Sequence, residues 1–510
     1  MLDRRHALAL LGAAPAAALA SFGAARAGPV RADPQALTIA TTLGRVQGQA
    51  QGKIRVFTGI PFGRAARFAA PEPAPRWQGV LAATSPAHIA PQMAGQPMAS
   101  EMSEDCLQLN VWAPSTPGPH PVLVYIHGGG NEGGWSGDAG TAGDRFARDG
   151  VVCVTVNYRL GALGFLETGA LLGPAYRGSG NNGLRDQLLA LRWVRANIAA
   201  FGGDPRRVTI AGESAGGKNA GSLMGVPAAD GLYAQAAMFS GGAQTVHTMA
   251  EAEAFARVYA EKLGGADRLL TASVADSLAA QQAARQAWPR NFPFRPVVDG
   301  AFMPMVPLER ISSGGAPHMP LLIGSNADEG RMFLPADRAD QPLTSRAISN
   351  ATMEQIADLD RSYAQAFPDL SPAQRHWRLL TAEEYGMPCL RIAQAHAARG
   401  ASVFRYRLTY PAPGGAFKGH TPHVLDVPFT FDHVDVPAFT RFFGMTPADQ
   451  PMADRMHGAM VSFVSAGRPV AAGLPDWARF DNATRATMVL DHQSALVADP
   501  DRVERLLWPA

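Results

Sequence analysis

Small residues flank a serine in Gly212-Glu213-Ser214-Ala215-Gly216, directly after the β-rich run Arg207-Val208-Thr209-Ile210-Ala211, and a helical segment follows. A G-x-S-x-G turn between a strand and a helix is the setting of a nucleophile elbow. Gly212 and Gly216 let the turn pass close to neighbouring backbone. The turn lifts the Ser214 hydroxyl to the edge of a sheet, at the start of a helix. Amides at a helix N-terminus carry partial positive charge, so the Ala215 N–H can face an oxyanion as it develops. The chemistry implied is attack by a serine hydroxyl on an acyl carbon. A hydroxyl cannot do this alone; it needs an adjacent base, and the base an orienting carboxylate.

The elements that must position these groups read as alternating strands and helices. Val122-Leu123-Val124-Tyr125-Ile126 is a short apolar run ended by His127-Gly128-Gly129-Gly130. Val151-Val152-Cys153-Val154-Thr155-Val156 is a second, and Val208-Thr209-Ile210 leads into the serine turn. Continuous apolar runs suit strands buried on both faces of a mostly parallel sheet. Between them, Leu184, Leu188, Leu191 and Ile198 recur at helical spacing, which predicts a helix over residues 184–199, stopped by Gly202-Gly203-Asp204-Pro205. Further strands are expected at residues 320–324 and 403–409. The alternation predicts an α/β sheet with helices on both faces. Residues 250–288 and 335–400 read as helical insertions that cover the sheet, since no Gly/Ser linker sets them apart.

Composition bounds the remaining classes. The chain has 510 residues, 47% hydrophobic and 17% charged, with net charge +2. That balance, without a basic run, leaves no electrostatic footprint for nucleic acid. Beyond the N-terminus no apolar stretch reaches the ~18–20 residues of a spanning helix. Arg4 and Arg5 precede an Ala/Leu run, and Ala25-Arg26-Ala27 offers a small-x-small cleavage site. Residues 1–27 are therefore read as an export signal of twin-arginine type, with Sec transport as the alternative, leaving one domain over residues 28–510. The expected location is periplasmic or secreted; an uncleaved leader would leave the chain in the cytoplasm. Cys106, Cys153 and Cys389 form neither a metal-ligand pattern nor an even disulfide framework.

Further motifs carry a resemblance. They include Gly59-Ile60-Pro61-Phe62, Ser103-Glu104-Asp105-Cys106-Leu107, Val156-Asn157-Tyr158-Arg159-Leu160-Gly161, Phe201-Gly202-Gly203-Asp204-Pro205, Pro296-Val297-Val298-Asp299-Gly300 and Asp328-Glu329-Gly330. With the serine turn, they make the chain resemble the type B carboxylesterases, α/β-hydrolases that also include the cholinesterases. The resemblance implies the chain order Ser, acid, His. Glu329 is then the acid, as the residue before the glycine, with Asp328 left to stabilise the turn. His423, five residues before Pro428, is the base, and His420 a surface loop residue. The oxyanion hole falls to the N–H groups of Gly129, Gly130 and Ala215. His127 and His433 are read as structural, His127 bracing the glycine loop.

The resemblance also implies scaffold and substrate features. Arg67 with Glu104 and Arg159 with Asp186 are expected to be buried ion pairs, and Glu213 to tune the site electrostatically. Asn131 follows the glycine loop where the family has an aromatic residue, so a more polar pocket mouth is expected. Phe292 and Phe294 match an acyl-pocket segment, or are ordinary core aromatics. Ala90 stands where the family pairs a cysteine with Cys106, which leaves that thiol free. The short loop over residues 91–105 has no tryptophan, which argues against choline esters. Lys218 has no account at this level. The implied activity is carboxylic ester hydrolysis through an acyl-enzyme, with a small ester as partner and neither metal nor organic cofactor. Carbamates, lactones and activated amides are alternatives for the same triad. A non-catalytic binding protein is the alternative from another class.

Overall fold

The apolar run Val152–Val156 becomes a strand with no exposed residue, and Leu321–Asn326 is buried throughout although it ends in Gly, Ser and Asn. The structure, a computed structural model, describes residues 37–93 and 100–508. The expected export signal lies outside those residues. A sheet of 11 strands spans the molecule. Its strands are β1 (Gln49–Gln51), β2 (Ile54–Pro61), β3 (Gln108–Pro114), β4 (His120–Ile126), β5 (Val152–Val156), β6 (Gly203–Glu213), β7 (Gln235–Phe239), β8 (Leu321–Asn326), β9 (Val403–Leu408), β10 (Ala486–Leu490) and β11 (Ala495–Ala498). The spatial order is β11-β10-β9-β8-β7-β6-β4-β5-β3-β2-β1. Pairing is parallel from β5 through β10 and antiparallel at both margins. The parallel centre demands cover on both faces.

Helices supply that cover. On one face Val122, Val124 and Ile126 share a core with α1 (Asn182–Asn197) and α2 (Ala215–Leu223). The alternate residues Leu123 and Tyr125 face a second core with Met456, Met460 and Phe463 from a long C-terminal helix, Gln450–Ala466. The helix expected to end at residue 199 tightens into a 3₁₀ turn, Ile198–Phe201, and stops at Gly202 in the left-handed conformation.

The first insertion forms α3 (Met249–Leu263) and α4 (Val274–Ala287), opened by Thr248 and Ser273 caps. Phe255, Tyr259 and Ala284 extend the α1 core. The second forms α5 (Met353–Ala366), α6 (Pro372–Thr381) and α7 (Met387–Ala398). Ile356, Leu359, Tyr363 and Leu379 give α5 and α6 a small core of their own. Between α6 and α7 lies one turn of π-helix, Ala382–Gly386. Such turns occur frequently at functional sites. Among the described residues, no helix is long and apolar enough to cross a membrane.

The two expected ion pairs differ in burial. Arg159 and Asp186 are 4% and 0% exposed, joined by Nε to Oδ2 at 2.9 Å and Nη2 to Oδ1 at 2.7 Å. Arg67 and Glu104 are 17% and 31% exposed, so the expectation of a buried pair holds only in part there. Removing one partner of a fully buried pair strands the other charge. Asp186→Ala is therefore expected to lower the unfolding free energy by about 3–5 kcal/mol, and Glu104→Ala by less. Chemical denaturation of the two variants measures the difference.

Candidate active site

Ser214 sits between β6 and α2 at φ 57°, ψ −123°. Its N–H donates to the Phe239 carbonyl at 2.9 Å. The glycines are required by contact. A Cβ on Gly216 would lie 2.0 Å from the Ile126 oxygen, and one on Gly212 2.4 Å from the Gly216 carbonyl carbon. Here the close approach expected from the sequence is realised.

The glycine loop leaves β4 as a tight turn, with the Gly129 carbonyl accepting from Glu132 and Gly133 at 3.0 Å. Gly129 and Gly130 have φ 107° and 65°, where a side chain is strained. Among the described residues, the N–H groups of Gly129, Gly130 and Ala215 have no acceptor within the protein. They are free to serve an incoming oxygen. His127 braces the loop as expected: its ring stacks on Tyr158 at 4.5 Å, and Tyr158 Oη donates to its carbonyl at 2.9 Å. Burial pushes His127 down to about 4, so it stays neutral.

The base and acid meet across β8 and the loop after β9. His423 Nδ1 pairs with Glu329 Oε2 in a short contact, and Glu329 is fully buried. The other Glu329 oxygen accepts from the Asn326 N–H at 2.7 Å and from Ser240 Oγ at 2.6 Å. The competing residues separate cleanly. Asp328 accepts from the Thr421 N–H at 2.9 Å, stabilising the turn, and His420 is partly exposed beside it. His433 is structural, bridging the Gly140 carbonyl and Asp144 at 3.1 Å each.

Glu213 is buried beside the base, its Oε1 3.2 Å from His423 Nε2. Tyr385, from the π-turn, stacks on the His423 ring at 4.5 Å, and its hydroxyl lies against Ser214 without a fully formed hydrogen bond. Phe333 packs 5.1 Å from His423, and Phe292 sits edge-on to Phe333 at 5.6 Å. One face of the site is thus an aromatic wall.

One expectation about the pocket needs correction, and one pair of alternatives is decided. Asn131 does not make the mouth polar. At φ 59° its side chain turns inward, Nδ2 donating to the Phe294 carbonyl at 3.1 Å and Oδ1 accepting from Asn219 at 2.9 Å. Phe294 is a core aromatic, 1% exposed and packed on Phe255, whereas Phe292 borders Gly130. All three cysteines are free and buried, Cys106 as the substitution at Ala90 implied. Sequence reasoning missed Ser240, Phe333 and Tyr385. Ser240 carried one usable signal, its place directly after a strand of the parallel sheet; Tyr385 carried none.

Burial works against charge throughout the site. It pushes the Glu213 carboxyl up to about 8, with His423 pulling the other way, and Asp426 up to about 6. For His423, burial alone acts to lower the value. Glu213, Glu329 and Asp426 outweigh it and hold the imidazole above its ordinary pKa.

Comparison with known proteins places the chain in a family. The model of the carboxylesterase family matches residues 35–505. The para-nitrobenzyl esterase of Bacillus subtilis (strain 168) is 34% identical over 490 residues, 92% of this chain and 97% of its own length. The fumonisin B1 esterase of Sphingopyxis macrogoltabida is 32% identical over 466 residues, 86% of this chain and 84% of its own. The crystal structure of a Geobacillus stearothermophilus carboxylesterase at pH 6.2 superposes with a TM-score of 0.83 at 34% identity, covering 93% of this chain and all of that one.

A base must be neutral to accept a proton, so the rate falls as pH drops through the raised His423 pKa, with the midpoint above about 6.5. Glu213→Gln removes a charge that favours the imidazolium. The acid limb of the pH–rate profile is expected to move down by about one unit, while Asp328→Asn leaves it in place.

Proposed function

Because the chain belongs to the carboxylesterase family, we propose that its carboxylic ester hydrolysis proceeds by two-step acyl transfer on Ser214. The observation that carries this assignment is the buried His423–Glu329 pair, whose ring stacks on the Tyr385 that lies against Ser214, a serine held on a strained turn. His423 takes the Ser214 proton as the hydroxyl attacks the ester carbonyl. Glu329 fixes the ring and steadies the imidazolium that forms. The carbonyl oxygen, now negative, accepts from the Gly129, Gly130 and Ala215 amides. Loss of one such donor typically costs about 2.7–4 kcal/mol of transition-state stabilisation. His423 then protonates the departing alcohol, and water hydrolyses the acyl-enzyme by the same proton route in reverse.

Hydrolysis of p-nitrophenyl esters from C2 to C12 tests the assignment. Ser214→Ala is expected to lose roughly 10⁴-fold or more in kcat while its circular dichroism is unchanged. Retained turnover in that variant would remove Ser214 from the mechanism. An organophosphate should label Ser214 in the wild type alone. Phe292 beside Gly130 supports a limit on acyl length, so Phe292→Ala should move the chain-length optimum upward.

We also propose that residues 28–510 act as one domain and that residues 1–27 direct export. The support is Arg4-Arg5, the apolar run behind them and Ala25-Arg26-Ala27. N-terminal sequencing of protein recovered from a bacterial periplasm is expected to begin near Gly28; an intact Met1 there would contradict it.

A further inference from the structure

Lys218 stands one turn along α2 from the nucleophile, its N–H donating to the Ser214 carbonyl at 2.9 Å. Its side chain is 12% exposed and its ammonium pairs with Glu384, which hangs from the π-turn between α6 and α7. Lys218 Nζ lies 4.9 Å from the Tyr385 ring centroid and 5.5 Å from that of Phe292. Those two rings border His423 and Gly130 respectively. The pair is therefore part of the wall around the reacting atoms, and the family chemistry has no task for it.

Its hydrogen bonding is incomplete. An ammonium has three donors. Glu384 Oε1 takes one, and the aromatic faces attract the charge without offering an oxygen. Glu384 Oε2 is buried and unpartnered, as is the Tyr385 hydroxyl. Buried polar groups are nearly always satisfied. A buried ion pair is also a poor stabilising device, since apolar residues of similar volume do as well. Burial, with Arg295 adding to it, pulls Lys218 down to about 7. Moving the proton from nitrogen to carboxylate leaves the pair net neutral, with a donor and an acceptor still side by side.

Resting on the ester-hydrolase reading, we propose that Lys218 and Glu384 form a polar subsite, walled by Tyr385 and Phe292, for esters bearing a group that both donates and accepts a hydrogen bond, such as a hydroxyl. The hydroxyl oxygen accepts from Lys218 Nζ while its proton goes to Glu384 Oε2. A carboxylate in the same place meets Glu384, and an ammonium meets Lys218, so charged substituents gain less. A site with unpaired polar atoms discriminates strongly against the analogue that leaves them unpaired.

The test uses ester pairs that differ by one hydroxyl: methyl hexanoate against its 3-hydroxy and 6-hydroxy forms, and butyl butanoate against 4-hydroxybutyl butanoate. Monomethyl adipate supplies the charged comparison, and a pH-stat follows all of them. At least one hydroxylated ester is expected to exceed its plain partner by about tenfold in kcat/KM, the worth of one net hydrogen bond. The ratio should fall to near one in the double variant Lys218→Met, Glu384→Leu. The double variant is used because Lys218→Met alone strands a buried carboxylate and can fail to fold. Ratios near one for every wild-type pair overturn the proposal, as does a ratio that survives the double substitution. A preference for monomethyl adipate over the hydroxy esters overturns it too, because Lys218 would then be acting as a bare cation. Absence of turnover on plain methyl hexanoate and butyl butanoate is a distinct failure, that of the esterase assignment itself.

Discussion

Ser214 occupies a backbone conformation, φ 57° and ψ −123°, that costs a non-glycine residue about 1–3 kcal/mol unless its surroundings hold it. The surroundings here are the two neighbouring parallel strands. Gly212 pairs with Ile126 of β4, and Glu213 with Phe239 of β7. The same registers set the rest of the site. The glycine loop starts one residue beyond Ile126, and Ser240, which holds Glu329, one residue beyond Phe239. Phe239 is in turn in register with Gly324 of β8, which delivers Asn326 and Glu329. A one-residue slip would turn every side chain of a strand to the other face, so the continuous burial of these strands protects the catalytic geometry as well as the core.

Held in that frame, the site must keep ionisable groups out of water without losing the one neutral base it needs. Glu329 has its oxygens occupied by the Asn326 N–H, Ser240 and His423. Asp426, raised by burial, receives the Tyr406 hydroxyl at 2.7 Å. Glu213 keeps an oxygen without a hydrogen-bond partner. It stands on the Nε2 side of His423, the side from which the serine proton must arrive. Burial pushes its carboxyl up to about 8 while His423 pulls it back down, and in its ionised form it leads the charges that hold the imidazole above its ordinary pKa. That arrangement steadies the imidazolium that forms when the serine proton arrives, and it sets the pH below which the free base is lost.

How much of this could be read from the sequence follows from how local each determinant is. The elbow and the glycine loop lie within short segments, where a turn and its glycines fix direction, whereas the choices of Glu329 over Asp328 and His423 over His420 rest on the family resemblance. Asn131 was misplaced, and Phe292 and Phe294 were left between pocket and core, because direction there depends on one dihedral. A left-handed φ at Asn131 turns the amide into the protein, and a φ of 47° at Phe292 separates it from Phe294 two residues on. Tyr385 and Glu384 were invisible for another reason. A π-turn in the middle of an insertion aims them at a site whose other members are distant in sequence, and no periodicity announces it.

The unpaired Cys106 raises a related question of restraint. The resemblance implied a disulfide that would close the loop preceding it, and Ala90 removes that link. His88 and Gln92, on either side of Ala90, are held by another route. The Gln92 side chain accepts from the Gly134 N–H and donates to the Gly134 carbonyl, both at 3.0 Å. Asn157, at the end of β5, donates to the His88 carbonyl at 2.6 Å and accepts from the Ser136 N–H at 2.7 Å. Gly134 has φ 98°, and a Cβ there would strike the His127 ring that braces the oxyanion amides. A disulfide at residues 90 and 106 would have tied the loop to itself. The hydrogen bonds instead tie Gln92 to Gly134 and, through Asn157, His88 to Ser136, so these positions brace the backbone that carries Gly129 and Gly130.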